Sequence, residues 1–577
     1  MLDVKIEGGT VVDGSGKQGR VADVGIRDGR IDAIGHIGEP ARVTLDARGQ
    51  VVCPGFVDLH THYDAQVFWD PALTPSSLHG VTTVFGGNCG FSLAPLEPSE
   101  GEYLMRMLAR VEGMPLESLR AGVPWDWRTF DEYLGRLEGR VALNVGFLVG
   151  HSALRRSAMG ERANREAASD ADLARMVELL RSSLAAGGMG FSSSSSPTHS
   201  DGDGGPVPSR HAAREEILAL CREVRLHPGT TLEFIPTAGP FERAHKELMV
   251  EMSLAAERTL NWNSLVVTAM APDLFEQQLE TSDRAAKRGA RVVALTLPDV
   301  MRMRINFTSG FVFDSLPGWG SVLALDHASK LQALAQVDVR ERLRAGYASP
   351  DAGVFSFLLA PDLLRVVETF TPAGKAVEGR TIGEVAREQG KDPFDALFDL
   401  AIAEDLRTQF TPMVPGDDDE SWKLRAQVWR DPRVLIGASD AGAHLDMIDT
   451  FQLSTQLLGP CVRERRLIEL EDAIHRITDV PARLYGVRER GRLVPGWHAD
   501  VVVFDPDRIG PGPLHTRADL PGGASRLFAE ARGIAHVLVN GVEIVRGGEV
   551  TGARPGTVLR SGRDTETVAI PASIRQA

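Results

Sequence analysis

The feature that most constrains the fold of this chain is a repeat of short apolar runs, each followed by a longer segment with helical spacing. Near-continuous apolar strands that alternate with helices are typical of an α/β fold whose parallel sheet is buried on both faces. Eight such units predict a closed (β/α)8 TIM barrel rather than an open sheet. The candidate strands are residues 51–58, 81–87, 141–150, 188–193, 230–235, 260–267, 291–296 and 434–439.

The spacing between the last two candidate strands breaks this rhythm. Residues 297–433 form a gap that is too long for a single crossover connection. We therefore expect an inserted helical segment at about 300–430, before the last barrel strand.

The two ends of the chain share a different pattern. Residues 1–50 alternate apolar and polar positions and contain the turn pairs Asp13-Gly14 and Asp28-Gly29. Residues 536–545 read HVLVNGVEIV, with a hairpin signal at Asn540-Gly541. We expect the two ends to pair into one small β-sandwich. The predicted domains are a sandwich (1–53 and 485–550), a barrel (54–484) and a C-terminal tail (551–577) whose structure is left open.

Composition excludes several classes of protein. The 577 residues carry a net charge of −15 and no run rich in Lys and Arg, which argues against nucleic acid as a partner. The N-terminus lacks the pattern of a signal peptide, and no apolar run is long enough to cross a bilayer, so we expect a cytoplasmic protein without membrane partners. Four cysteines without CxxC spacing predict no disulfide framework. A homo-oligomer is left open.

Residues able to bind a metal ion occur where the candidate strands end. The first strand ends in His60 and His62, which lie two apart and so point to the same face. The eighth ends in Asp440, the second in Cys89 and the third in His151. Active sites of parallel barrels form at this edge, and a thiolate with imidazoles suits zinc. Two polar histidines with a structural role are the alternative interpretation of the HxH pair.

Several of these segments resemble a known family. The segments PGFVDLHTHYD, GVTTVFGGNCGFS, VGHSALR and GASDAGAHLD are similar to the N-acyl-D-amino-acid deacylase (D-aminoacylase) branch of the amidohydrolase superfamily. The C-terminal RLYGVRERGRLVPGWHADVVVFD resembles the sandwich closure of that superfamily. The similarity covers nearly the whole chain, and its motifs are specific for the superfamily but not for a substrate.

The resemblance implies roles for particular residues. It implies His60 and His62 as metal ligands, Cys89 as a thiolate ligand, and Asp440 as both ligand and proton shuttle. The implied reaction is hydrolysis of a C–N amide bond in an N-acyl-amino acid or a related small amide. A metal-activated water attacks the carbonyl, and Asp440 carries its proton to the leaving amine.

The chain departs from the family at the fifth and sixth strands. The family has a histidine at the end of each, whereas this chain has TTLEFIPTAG and LNWNSLVV. Glu233 is a candidate oxygen ligand or substrate contact, and Asn261 or Asn263 a candidate for orienting the substrate. We therefore expect one divalent ion, held mainly by His60, His62 and Asp440. Zinc is the favoured ion. Iron, cobalt and manganese stay open as alternatives, and a site without a metal also stays open.

Other candidates have two interpretations each. His151 is a catalytic residue or a buried hydrogen-bonding residue, and Cys89 is a ligand or a packed thiol. Tyr63 and Asp64 follow the HxH pair and are candidates to line the same cavity. His444 is a candidate substrate contact. Arg210, in a Ser-, Gly- and Pro-rich loop at 192–210, is a candidate clamp for a substrate carboxylate, or part of a solvated loop.

Two alternatives to a hydrolase remain at this stage. One is a metal-assisted lyase or isomerase acting on a keto or hydroxy acid. The other is a catalytically divergent barrel that binds a small molecule without turning it over.

Overall fold

The computed structural model of the chain describes residues 1–570 except residues 238 and 311. The strands are β1 (Leu2–Val11), β2 (Arg20–Arg27), β3 (Arg30–Gly35), β4 (Ala41–Asp46), β5 (Val51–Pro54), β6 (Phe56–Asp58), β7 (Val81–Gly86), β8 (Asn144–Phe147), β9 (Val149–Gly150), β10 (Gly190–Ser194), β11 (Thr231–Ile235), β12 (Leu260–Leu265), β13 (Val292–Thr296), β14 (Arg365–Glu368), β15 (Gln409–Thr411), β16 (Val434–Ile436), β17 (Val501–Phe504), β18 (Gly510–Pro511), β19 (His515–Arg517), β20 (Arg526–Phe528), β21 (Ala531–Arg532), β22 (Ile534–Val539), β23 (Val542–Arg546) and β24 (Glu549–Val550).

The α-helices lie between these strands. They are α1 (Gln66–Trp69), α2 (Gly101–Val111), α3 (Leu116–Gly122), α4 (Phe130–Leu137), α5 (His151–Met159), α6 (Asp170–Ala185), α7 (Arg214–Val224), α8 (Arg243–Ala256), α9 (Pro272–Lys287), α10 (Gly320–Leu323), α11 (His327–Ala335), α12 (Val337–Tyr347), α13 (Gly353–Leu358), α14 (Pro372–Lys375), α15 (Ile382–Gln389), α16 (Pro393–Ala403), α17 (Asp419–Val428), α18 (Leu453–Gln456), α19 (Leu470–Ile477) and α20 (Asp479–Leu484). Within the described residues, none of the helices combines the length and the apolar character that crossing a membrane requires.

Parallel strands alternate with helices through the middle of the chain. The strands β6, β7 and β8 form one parallel sheet, and β9, β10, β11, β12, β13 and β16 form another in that order. Leu148 alone separates β8 from β9, and its N–H donates to Gly86. A parallel bridge between Thr61 and Ala441 connects the segment after β6 with the segment after β16. All eight predicted strand positions therefore carry strands of the α/β fold.

The helices begin where their sequences offer caps. Ser169 precedes α6, and its hydroxyl accepts the N–H of Asp172 while the Asp172 carboxylate accepts the N–H of Ser169. This capping box satisfies backbone donors that the first helical turn leaves without partners. Thr129 and Glu132 form the same arrangement at α4.

The first candidate strand, 51–58, is two strands in different sheets. Val51–Pro54 pairs with β1 and β17, whereas Phe56–Asp58 pairs with β7. Gly55 lies between them, and a Cβ at this position would come within 2.1 Å of Thr82 Oγ1. The prediction of one continuous strand was wrong because the chain passes from one sheet to the other at this closely packed glycine.

The two ends of the chain join in one nine-stranded sheet. Its order is β24-β23-β22-β17-β5-β1-β2-β3, with β4 also paired to β1. The junction is the antiparallel pair of β5 and β17, in which Val52 lies opposite Val503. A cluster of buried apolar side chains from both ends, including Ile6 and Val501, packs against this sheet.

The long gap before β16 holds helices α10 to α17 and the short antiparallel pair β14–β15. This segment has an apolar cluster of its own, which includes Phe307, Trp319 and Phe398. Met447 and Ile448, from the loop after β16, belong to the same cluster. The insertion therefore packs against the loop that follows the last parallel strand.

The C-terminal tail returns to the parallel strands. Val558 and Leu559 are buried, and Leu559 N–H donates to Val145 in β8. Thr565 Oγ1 donates to the carbonyl of Gly229, which lies just before β11. Residues 571–577 of the predicted tail lie outside the described residues.

Candidate active site

His60 and His62 follow β6, and Asp440 follows β16. The N–H of Asp440 donates to the carbonyl of His60 over 3.0 Å, and that of His62 donates to Ala441 over 2.7 Å. These bonds join the segments after the first and last parallel strands. The backbone itself therefore holds the two histidines next to Asp440.

Four of the predicted ligand side chains come together at this edge. The Nε2 atoms of His60 and His62 lie 3.3 and 3.6 Å from Cys89 Sγ. The same two atoms lie 3.3 and 3.1 Å from Asp440 Oδ1. His60, His62 and Cys89 are buried, while Asp440 keeps 23% of its side chain exposed. We call these four residues the ligand cluster.

Three residues at the site have an unusual backbone conformation. The φ angles of Cys89, Asp440 and His444 are 58°, 56° and 44°. Residues other than glycine rarely adopt this left-handed region, and each such residue costs of the order of 1–3 kcal/mol. Strained residues of this kind concentrate at functional sites, and two of these three belong to the ligand cluster.

Buried charges determine the protonation of the cluster. Burial alone would lower the pKa of His62, but Glu112 and Asp440 outweigh it and raise this pKa to about 10. Burial lowers the pKa of His60. Burial, together with the carboxylates of Glu233 and Glu112, raises the pKa of the Cys89 thiol. A bound cation would reverse this last effect, because coordination deprotonates a thiol.

Glu233 and Asn263 lie on the fifth and sixth parallel strands, at which the resemblance leads one to expect histidines. Glu233 Oε2 accepts the N–H of Cys89 over 2.8 Å, and Asn263 Nδ2 lies 3.0 Å from His60 Nε2. Glu233 Oε1 and Asn263 Oδ1 are both buried and have no hydrogen-bond donor among the described residues. Buried oxygen acceptors without donors, beside imidazole and thiol groups, form a donor set that fits a cation.

Asn261 and His151 do not join the cluster. The Asn261 amide donates to the carbonyl of Leu232. His151 begins α5, and its ring nitrogens lie 2.8 Å from Ser193 Oγ and 2.8 Å from Glu216 Oε1. Both nitrogens of His151 are therefore engaged away from the cluster. These hydrogen bonds favour the buried hydrogen-bonding interpretation of His151, and its catalytic role stays a prediction.

Tyr63 and Asp64 have separate surroundings. Tyr63 is buried, and its hydroxyl lies 2.6 Å from Ser76 Oγ. Asp64 Oδ2 accepts the N–H of Gly87 over 3.0 Å, and burial raises its pKa to about 6. The Asp64 carboxylate also acts electrostatically on His62. Asp64 thus lies close enough to influence the cluster, whereas the Tyr63 hydroxyl is engaged with Ser76.

Arg210 and His444 lie on loops above the strand ends. Arg210 donates from its guanidinium to the carbonyl of His199 over 2.9 Å, so it supports the loop that contains it. The N–H of His444 donates to the carbonyl of Glu112. The charges of Asp440 and His62 act on the His444 imidazole, which places His444 beside the cluster.

Two residues near the cluster were missed in the sequence. Glu112 follows α2, is buried, and has Oε1 3.5 Å from His62 Nδ1. His199 lies in the loop 192–210, and the charges of His62 and Asp440 act on its imidazole. The unusual composition of that loop was the available signal for His199. No local pattern marked Glu112, because it follows a helix rather than a strand.

Comparisons with known proteins find matches over nearly the whole chain. A model of the Amidohydrolase family matches residues 43–545. N-acyl-D-aspartate deacylase of Alcaligenes xylosoxydans xylosoxydans is 30% identical over 567 residues, which cover 97% of this chain and 95% of the relative.

Two solved structures are similar over almost their whole length. The crystal structure of N-acyl-D-glutamate deacylase from Bordetella bronchiseptica, with zinc and a phosphonate inhibitor, has a TM-score of 0.64 and 27% identity, covering 97% of this chain and 100% of that one. A D-aminoacylase structure concerned with its binuclear metal centre has a TM-score of 0.63 and 26% identity, with the same coverage. The resemblance predicted from the motifs is confirmed, and the chain belongs to the amidohydrolase family.

Proposed function

We propose that this amidohydrolase hydrolyses the amide bond of N-acyl-D-amino acids. The observation that carries the proposal is the ligand cluster, in which two imidazoles, a thiol and a carboxylate meet at the ends of parallel strands. Its relatives include N-acyl-D-aspartate deacylase and D-aminoacylase, which are named for this reaction. No contact in the described residues favours the lyase or the non-catalytic alternative.

The residues proposed to hold a divalent metal are His60, His62, Cys89 and Asp440. Nitrogen and sulfur ligands favour zinc, and the structure of N-acyl-D-glutamate deacylase contains zinc. We propose a single ion. D-aminoacylase has a binuclear centre with one-metal activation and second-metal attenuation. The amide of Asn263 and the carboxylate of Glu233 provide no imidazole for a second ion.

When bound, a metal ion of this kind polarises a carbonyl group and lowers the pKa of a water molecule to about 7. Asp440 is placed to act as the general base, because its Oδ1 belongs to the cluster and its side chain is partly exposed. We propose that Asp440 takes the proton of the attacking water and passes it to the leaving amine nitrogen. Asp440 would thus move the proton, and His60 and His62 would stay fixed.

We also propose the architecture that the sequence predicts. The strands from β6 to β16 would form a (β/α)8 barrel, for which the Thr61–Ala441 bridge is the supporting contact between first and last strands. The nine-stranded terminal sheet would form the β-sandwich domain of residues 1–53 and 485–550. The partner is a small-molecule substrate, and the proposed location is the cytoplasm.

A cavity of about 550 Å³ provides room for the substrate. Its wall includes Gly113, the residue after Glu112, whose carboxylate lies 3.5 Å from His62. The lining combines apolar side chains, such as Phe370 from the insertion, with polar and charged ones, such as Arg526 from the C-terminal segment. We propose that part of the substrate lies in this cavity, with the amide at the cluster.

The direct test is turnover of N-acyl-D- and N-acyl-L-amino acids that share one acyl group, followed by release of the free amino acid. The proposal predicts hydrolysis with preference for the D series. Asp440→Asn should lower kcat by at least about 100-fold, because removing a general base costs 10²–10⁴, while substrate still binds. Turnover that survives in Asp440→Asn, or binding without turnover in the wild type, would refute the proposal.

A further inference from the structure

His199 lies in the loop after β10, the strand whose Ser192 Oγ accepts the N–H of Gly90, the residue after Cys89, over 3.1 Å. Its ring packs against Phe91 with 5.2 Å between ring centroids, and Phe91 is two residues after Cys89. The charges of His62 and Asp440 act on its imidazole. His199 thus stands beside the cluster without belonging to it.

The hydrogen bonds of Ser194 bear on which nitrogen of His199 carries the proton. Ser194 Oγ accepts the N–H of Ser196 over 3.1 Å and lies 2.8 Å from His199 Nδ1. Among the described residues, Nδ1 is the acceptor that lies within reach of the Ser194 hydroxyl proton. We therefore assign Ser194 as the donor to Nδ1, which puts the proton of the neutral imidazole on Nε2.

The loop holds this imidazole in a defined place. Arg210 donates to the carbonyl of His199 over 2.9 Å, and the N–H of His199 donates to Ser196 over 3.1 Å. Farther along, Asp201 Oδ1 accepts the N–H groups of Asp203 and Gly205, each over 3.0 Å. Such a network fixes a side chain before a ligand arrives, as preorganised donors require.

We propose that His199 is a catalytic residue whose Nε2–H donates to the acyl carbonyl oxygen of the substrate amide. The proposal rests on the proposed hydrolysis, in which negative charge develops on that oxygen. A neutral N–H donor that reaches this oxygen stabilises the charge more in the transition state than in the substrate. Burial lowers the pKa of His199 to about 3, which keeps the imidazole neutral at the pH of an ordinary assay.

The first test compares His199→Ala with the wild type on an N-acyl-D-amino acid that the wild type hydrolyses. Loss of one donor of this kind lowers kcat by about 10²–10³-fold, and we expect KM and metal content to stay nearly unchanged. His199→Gln, which retains an N–H donor, should recover part of kcat. His211→Ala, at the end of the short 3-10 helix Pro208–His211 that closes this loop, is the control and should behave as the wild type.

A second probe is a phosphonate analogue of the tetrahedral intermediate. His199→Ala should bind the phosphonate more weakly by a factor similar to its loss of kcat, and should bind the substrate normally. Ser194→Ala, which removes the donor to Nδ1, should show a smaller loss of the same kind. If the loss of kcat and the loss of phosphonate affinity in His199→Ala agree, His199 stabilises the transition state.

Three results would overturn the assignment. Loss of metal from His199→Ala would make it a support of the cluster. A second result is that His199→Ala raises KM but leaves kcat unchanged, and that this rise disappears with substrates in which an amide replaces the carboxylate. His199 would then be a contact of the substrate carboxylate. Unchanged kinetics would leave it without a role. A wild type that neither hydrolyses N-acyl-amino acids nor binds the phosphonate would refute the proposed function itself.

Discussion

Glu112 lies directly after α2, and its side chain is 4% exposed. Its Oε1 is 3.5 Å from His62 Nδ1, the ring nitrogen on the side opposite the cluster. Carboxylates in this position hold a metal-binding imidazole in one tautomer and orientation. Burial raises the pKa of Glu112 to about 8, against the effect of His62, so its ionisation depends on the positive charge nearby.

We predict that Glu112→Gln weakens binding of the metal by about 10- to 100-fold, the usual cost of losing such a carboxylate. The affinity is measured by competition with a chelator of known strength. Glu117→Gln, an exposed residue on the next helix, serves as the matched control. Equal metal affinity in Glu112→Gln and in the control would show that Glu112 does not orient His62.

The sequence indicated some of these residues and not others. His60, His62, Cys89 and Asp440 could be predicted because each follows an apolar strand, and such strands end at one edge of the fold. His151 also follows an apolar strand and was therefore a candidate for the site, but its side chain points toward Ser193 and Glu216. Position at the end of a strand therefore does not determine which way the side chain turns.

At the level of elements, the strands were easier to predict than their connections. The β-strands of the middle region are almost entirely buried, which produces the apolar runs seen in the sequence. The loop residues that lie near the site depend on contacts between segments that are far apart in the sequence. Glu112 and His199 reach the site only because the segments after α2 and β10 pack over the strand ends.

His79 connects three elements away from the site. It is buried in the turn before β7, with Nδ1 2.7 Å from Thr455 Oγ1 and Nε2 3.0 Å from the carbonyl of Ala529. Burial lowers its pKa to about 4. Because an unfolded histidine has a pKa near 6.5, the unfolded chain binds more protons than the folded chain between these two values.

We predict that His79 contributes a loss of about 3 kcal/mol to the free energy of unfolding as the pH decreases from about 6.5 to 4. Chemical unfolding of the wild type and of His79→Gln at several pH values measures this contribution. His79→Gln should be less stable than the wild type at neutral pH, and the difference in stability between the two should shrink as the pH falls. The exposed His327→Gln is the control, and an equal slope in His79→Gln and the wild type would contradict the prediction.

At the level of the whole molecule, the chain ends pack on its middle. The sequence predicted that the two ends pair, because both alternate at period two and contain turn signals. The path of the tail could not be predicted, since Val558, Leu559 and Thr565 make their contacts with β8 and with Gly229, far away in the chain. The insertion was predicted from length alone, and its own apolar cluster explains how it folds against the last strand's loop.

The proposed function depends on a divalent metal ion in the ligand cluster. Elemental analysis of the purified protein, beside a His60→Ala/His62→Ala variant, tests whether the ion is there. We expect about one equivalent of zinc per chain in the wild type and almost none in the variant, because the variant lacks two of the four ligands of a tetrahedral site. Metal that is absent from both proteins, or present equally in both, would show that the ligand cluster is not the metal site.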